Sequence, residues 1–80
     1  MTKEEIYQKL DEVFQDVFDD EEIHVTAETT ANDIEDWDRL EHINLVVAVE
    51  AKFGVKFNMN EVVSFKNVGE MVDALQQRVQ

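Results

Sequence analysis

Apolar residues recur along this chain at spacings of three and four in four separate stretches, and a helix-capping residue stands ahead of each. In the first, Ile6, Leu10, Val13, Phe14, Val17 and Phe18 form one stripe, as in a helix buried along one side. Thr2 precedes it with Glu5 three residues on, the arrangement in which each side chain bonds the other's backbone N–H. The second stretch carries Leu40, Ile43, Leu45, Val46, Val47, Ala48, Val49 and Phe53, and opens with Asp38 and Glu41 in the same relation. Gly54 follows, where a left-handed stop costs least. A short third stretch opens with Asn58 and Glu61 and holds Val62 and Val63. The fourth opens with Asn67 and Glu70 and runs through Val68, Met71, Val72, Leu75 and Val79. Asp and Asn match the reciprocal box less closely than Ser or Thr, but all are good N-caps. The pattern predicts an all-α fold: a bundle of three main helices plus one short helix, in a single domain over residues 1–80.

The connections are uneven. Val55-Lys56-Phe57 alternates like a strand, but it is too short and has no partner, so it reads as a linker whose apolar residues plug the core. One long loop, from about Asp19 to Trp37, joins the first two helices. Loops of this length are functional or anchored to the body, and Ile23, Val25, Ile34 and Trp37 are the expected anchors. Proline is absent, and the second glycine, Gly69, falls in the first turn of the last helix.

Charge narrows the partners. Nineteen acidic residues against seven basic ones give a net charge of −12, which repels nucleic acid and anionic lipid and attracts proteins with basic patches. The same charge also serves solubility alone. There is no cysteine, so neither disulfides nor thiolate metal sites arise. The polar start Met1-Thr2-Lys3-Glu4-Glu5 has no apolar signal stretch behind it, and no run approaches the roughly 20 apolar residues of a membrane span. A cytoplasmic monomer is the expectation.

Catalytic constellations are sparse. Ser64 is the only serine, and no histidine is near it in sequence. His42 follows Asp38 by four residues, but two ligands are too few for a closed zinc site, and an exposed helix-face histidine is expected. His24 stands apart. The run Asp19-Asp20-Glu21-Glu22 lacks the alternation and turn glycine of a calcium loop and reads as a solvated helix end. The chain is not expected to be an enzyme.

The segment Glu35-Asp36-Trp37-Asp38-Arg39-Leu40-Glu41-His42-Ile43 combines a loop ending in an aromatic anchor, a capping Asp and an acidic helix face. Here the sequence resembles the acyl (or peptidyl) carrier protein family. The likeness covers essentially the whole chain. It includes the second helix opening Asp-x-Leu, its end at Glu50-Ala51-Lys52-Phe53-Gly54-Val55-Lys56-Phe57, and a last helix opening Asn67-Val68. The resemblance implies the acyl-carrier four-helix bundle. It also implies a serine between that Asp and Leu, to whose hydroxyl a phosphopantetheinyl transferase attaches 4'-phosphopantetheine. This chain has Arg39 there. A guanidinium carries no hydroxyl and stays protonated, so no arm is expected on this chain, and Ser64 lies outside the Asp-x-Leu context.

In the family, the second helix and the loop before it dock basic partners such as acyl-chain synthases and transferases. Asp36, Asp38, Leu40, Glu41, Val47 and Glu50 fall on those positions, while Asn44 stands where many carriers have another acid. Asp38 and Glu41 also serve as cap and box partner, and Leu40 and Val47 fit the core equally well. Family carriers hold the acyl chain between helices. Val46, Ala48, Val49, Phe53, Met59, Val62, Val63 and Leu75 are the lining candidates, with ordinary core packing as the plainer role. The expected function is a carrier scaffold for fatty-acid or polyketide-type acyl-chain assembly, disabled at Arg39. The alternatives are a carrier-like interaction or regulatory protein that binds carrier-recognising enzymes, and an unrelated acidic helical module. Mimicry of nucleic acid is disfavoured, because the acids follow capping positions rather than a regular phosphate-like spacing.

Overall fold

The computed structural model describes residues 1–79; Gln80, part of the expected 1–80 domain, lies outside the described residues. Four α-helices follow one another: α1 (Lys3–Phe18), α2 (Arg39–Phe53), α3 (Met59–Ser64) and α4 (Val68–Arg78), with a 3-10 turn at Ala31–Asp33 in the long loop. No strand occurs among the described residues, and Val55–Phe57 is an irregular linker.

The helix starts lie at the predicted caps, but the reciprocal boxes differ. Thr2 with Glu5 and Asn58 with Glu61 close both bonds. At α2 only the forward bond forms, with Asp38 Oδ1 accepting from the Glu41 N–H at 2.8 Å. The Asp38 N–H instead donates to the Asp36 carbonyl. Glu41 therefore keeps its carboxylate away from the cap. At α4, Asn67 accepts from the Glu70 N–H, while Glu70 accepts from the Lys66 N–H. Gly54 ends α2 at φ +67°, in the left-handed region, and Asp19 ends α1 at φ +51°, a conformation Asp tolerates better than most residues.

Helix α1 packs on α2 and α4. Ile6, Leu10 and Phe14 meet Leu45 and Val49 of α2, and Val68, Met71, Val72 and Leu75 of α4, in one buried core. Burial of such side chains contributes about 1.5–3 kcal/mol each. Of the acyl-chain lining candidates, Val46, Val49, Val62 and Leu75 are buried, while Ala48 and Phe53 are half-buried. Met59 and Val63 depart from the expectation: they are 68% and 74% exposed, because the short α3 turns only Val62 inward.

The long loop is held along its length. Asp11 of α1 accepts from the Val25 N–H at 2.7 Å, and Gln15 donates to the Ile23 carbonyl at 2.8 Å. Val25 and Trp37 are buried, and Ile23 and Ile34 pack against the core. Trp37 meets Phe14 edge-on, with ring centroids 5.3 Å apart. Farther along, the Val68 and Gly69 N–H groups donate to the Thr29 and Ala27 carbonyls at 2.9 and 3.0 Å. The loop thus satisfies two of the donors that the first turn of α4 would otherwise leave unpaired.

Candidate functional site

The start of α2 is positioned by its neighbours. Trp37 seats the end of the loop in the core, Asp38 caps the helix, and His42, one turn on, locks the two together. The Trp37 indole N–H donates to His42 Nδ1 at 3.1 Å. His42 Nε2 lies 2.9 Å from the Val62 carbonyl. A carbonyl only accepts, so Nε2 carries the proton and Nδ1 serves as acceptor. The rings stack at 5.9 Å. An exposed helix-face histidine is the expectation from sequence; the structure instead makes His42 a half-buried link between loop, α2 and α3. The signal in the sequence was its distance from Trp37, one helical turn past the cap.

Arg39 is the first residue of α2 and is exposed. Among the described residues it makes no ion pair. Leu40 and Val47 are 72% and 59% exposed, so they are surface rather than core. With Ile43, 44% exposed, they follow the spacing of three and four that places them on one helical face. Apart from Met1, the exposed large apolar residues all belong to α2 or α3. Asp36 is exposed two residues before the cap, and Glu41 is half-exposed, with Oε1 3.4 Å from the Asn44 amide. Glu50 is more constrained. Its Oε2 accepts from the Phe57 N–H at 2.8 Å, which ties α2 to the linker after Gly54.

A cleft of about 620 Å³ opens beside Arg39. Trp37, Ile43, Val63, Phe65 and Met71 line it with apolar surface, and Asp38, Arg39, His42, Lys66 and Asn67 add polar groups. Its size falls in the range of about 300–1,000 Å³ typical of small-ligand pockets. Lys66 was not legible as part of this site, because it lies in the short connection between α3 and α4 and reaches the cleft only through the tertiary fold.

The remaining sequence candidates lie elsewhere. Ser64 Oγ donates to the Glu61 carbonyl at the end of α3. His24 is exposed, 3.1 Å from Asp11. The described residues contain no group of three or more His, Cys, Asp or Glu placed to hold a metal. A clamp that periodicity did not reveal is Arg78, which donates to the Lys56 and Ala74 carbonyls, pairs with Glu61 and covers the Phe57 ring at 5.0 Å. The Asn58 N–H, followed by the Arg78 guanidinium, holds the Glu61 carboxyl below its ordinary pKa. The reciprocal bonds from Thr2 act likewise on Glu5.

No family model matches the sequence. Three curated proteins do, each described as an acyl carrier protein. The one from Petrotoga mobilis is 33% identical over 99% of this chain and 93% of its own length. That from Acidothermus cellulolyticus is 38% identical over 91% and 87%, and that from Coprothermobacter proteolyticus 31% over 95% and 93%. Among solved structures, the holo acyl carrier protein from Geobacter metallireducens aligns with a TM-score of 0.83 at 42% identity, covering 89% of this chain and 82% of that one.

Proposed function

The chain belongs to the acyl carrier protein family, and from that premise we propose a carrier scaffold for acyl-chain assembly that docks its partner enzymes but does not accept the phosphopantetheine arm. The observation that carries this reading is Arg39 at the first position of α2, directly after the capping Asp38. Attachment requires a hydroxyl oxygen there, and the guanidinium has none. Ser64 is a poor substitute, since its hydroxyl sits at the far end of α3, bonded to the Glu61 carbonyl. The residues present at the start of α2 do not fit the arm.

Docking is a separate property and is supported by the exposed face of α2. Leu40 and Val47 offer apolar contacts, while Asp36, Asp38, Glu41 and Glu50 supply negative charge around them. Such a face suits acyl-chain synthases, transferases and phosphopantetheinyl transferase-like enzymes with basic patches. The protein itself is no enzyme in this reading. It acts as a monomer in the cytoplasm, without nucleic acid and without inserting into membrane. A persistent docking face beside an unusable attachment position also suits a second reading, a regulatory protein that occupies carrier-recognising enzymes.

One experiment separates these readings. The chain is incubated with coenzyme A and a broad phosphopantetheinyl transferase, and its intact mass is measured. The parent is expected to gain nothing, and Arg39→Ser to gain one arm. A modified parent, with the arm mapped to Ser64 or a threonine, would overturn the proposal. Failure of Arg39→Ser with several transferases would favour the regulatory reading.

A further inference from the structure

We propose that His42 is a proton-operated latch: with a neutral imidazole it holds the end of the long loop on α2, and on taking up a second ring proton it releases Trp37 while keeping its hold on α3. The latch consists of one ring and its two partners, so it stands whether or not α2 docks other proteins.

The observed geometry requires the neutral ring. An indole N–H only donates, so the 3.1 Å bond from Trp37 forms only while Nδ1 carries a lone pair. A carbonyl only accepts, so the 2.9 Å contact with Val62 places the single ring proton on Nε2. A second proton can go only to Nδ1, where it sets one N–H against another across the same 3.1 Å. The bond from Nε2–H to Val62 survives, and positive charge on the donor strengthens it. Protonation therefore breaks one bond of the pair and keeps the other. Trp37 is the partner that yields, and its backbone leads directly into the capping Asp38.

No carboxylate bonds the ring to neutralise the added charge. His42 lies in the wall of the open cleft, within reach of solvent protons. The loop end presents Asp38 there, with Oδ1 taken by the Glu41 N–H. Helix α2 adds Arg39, the connection before α4 adds Lys66, and α4 itself adds only the uncharged Met71. From α1, Phe14 and Phe18 pack on Trp37. Glu61, next to Val62 on α3, is bonded to Asn58 and Arg78, and the Glu41 carboxylate lies near Asn44. The other imidazole, His24, sits by Asp11 instead. The charged ring thus gains no carboxylate partner in place, and the strain is relieved by movement of the indole.

NMR of the whole protein tests this between about pH 8 and 5, the range in which an ordinary histidine changes charge. At the upper end, the ring nitrogen shifts of His42 should report the Nε2–H tautomer. As pH falls, the Trp37 indole N–H resonance should move with the same midpoint as the His42 ring. The Trp37 and Asp38 amides bond the Ile34 and Asp36 carbonyls within the loop end. Their exchange protection, corrected for the intrinsic pH dependence of exchange, should fall about tenfold, as expected for one net hydrogen bond lost. The Val62 amide, bonded to Asn58, should keep its protection. His42→Gln should abolish the indole step, and His24→Gln should leave it in place. An Nδ1–H tautomer, or an indole signal that does not follow His42, would overturn the proposal. Equal loss of protection at Val62 would refute the one-sided release, and an indole step that persists in His42→Gln would assign it to another group. The tautomer and the shared midpoint are read on the unaltered protein, so they decide the matter even if His42→Gln fails to fold.

Discussion

Gly69→Ala should destabilise the protein, although in an ordinary helix the same change stabilises. Replacing glycine by alanine gains at most about 1 kcal/mol of helix propensity, and less in a first turn. Against this, a methyl group at Gly69 would stand 3.0 Å from the Ala27 carbonyl oxygen and 3.1 Å from its Cβ. Both belong to a loop held by other bonds, so neither yields as a flexible side chain would. Relief requires the loop to retreat, weakening the Gly69 N–H to Ala27 and Val68 N–H to Thr29 bonds, each worth about 0.5–1.5 kcal/mol. Overpacking of this kind costs typically about 1–3 kcal/mol. The net expectation is a loss of about 1–2 kcal/mol, read as a lower urea midpoint by circular dichroism, with Tm falling roughly 4–8 °C per kcal/mol. Gly54 provides the contrast. A side chain there meets nothing within 4 Å, but φ is +67°, so the cost is backbone strain alone. Gly54→Asn should be nearly neutral and Gly54→Ala lose about 1 kcal/mol, whereas Asn at 69 should be at least as harmful as Ala. Unchanged or raised stability of Gly69→Ala would refute the close-approach reasoning.

Three further outcomes are expected. His42→Phe removes the acceptor of the Trp37 indole and the donor to the Val62 carbonyl, so denaturant melts should show a loss of about 2–3 kcal/mol, with a changed Trp37 emission. The Glu61 carboxyl titrates below its ordinary value of 4.5 in the folded protein, so the unfolded chain takes up its proton first as pH falls. Its stabilisation is present above that value and is lost as pH drops through the folded pKa; Glu61→Gln should therefore flatten the acid limb of a stability–pH curve. Reversing Asp36 and Glu41 to lysine should slow association with a basic carrier-binding enzyme roughly tenfold at low salt and leave the fold intact, whereas Glu50→Lys should lower stability, because the Phe57 N–H loses its acceptor.

Periodicity and capping revealed the helices because both are local. Ile6, Leu10 and Phe14 report one buried face within a single segment, and Asp38 and Asn67 mark their helix starts wherever those helices pack. The unexpected features depend on contacts between distant segments. His42 looks like a surface residue until Val62, twenty residues away, supplies a carbonyl to its ring. Met59 and Val63 look like core until α3 proves too short to bury more than one of its residues. Gly69 carries no reason for being glycine until Ala27 lies against it. Leu40 and Val47 illustrate the reverse difficulty: α2 is apolar nearly all round, and only the packing of α1 against Leu45 and Val49 decides which of its faces stays exposed.

Position 39 can change at little cost to this architecture, for a physical reason. Trp37, Asp38 and His42 establish the start of α2 through burial, a cap and two ring hydrogen bonds, while the Arg39 side chain contributes to none of these. A cation in a first helical turn opposes the helix dipole by only about 0.3–1 kcal/mol when exposed, and the adjacent Asp38 carboxylate offsets part of that. The identity of the side chain at this point therefore bears on chemistry rather than on structure, and the acidic, partly apolar face of α2 does not depend on it. Exposure is what a reactive position needs in order to be reached by another enzyme. The same exposure leaves the position free of packing constraints, so the arginine there adds a positive charge to the rim of an apolar cleft without displacing any packed group.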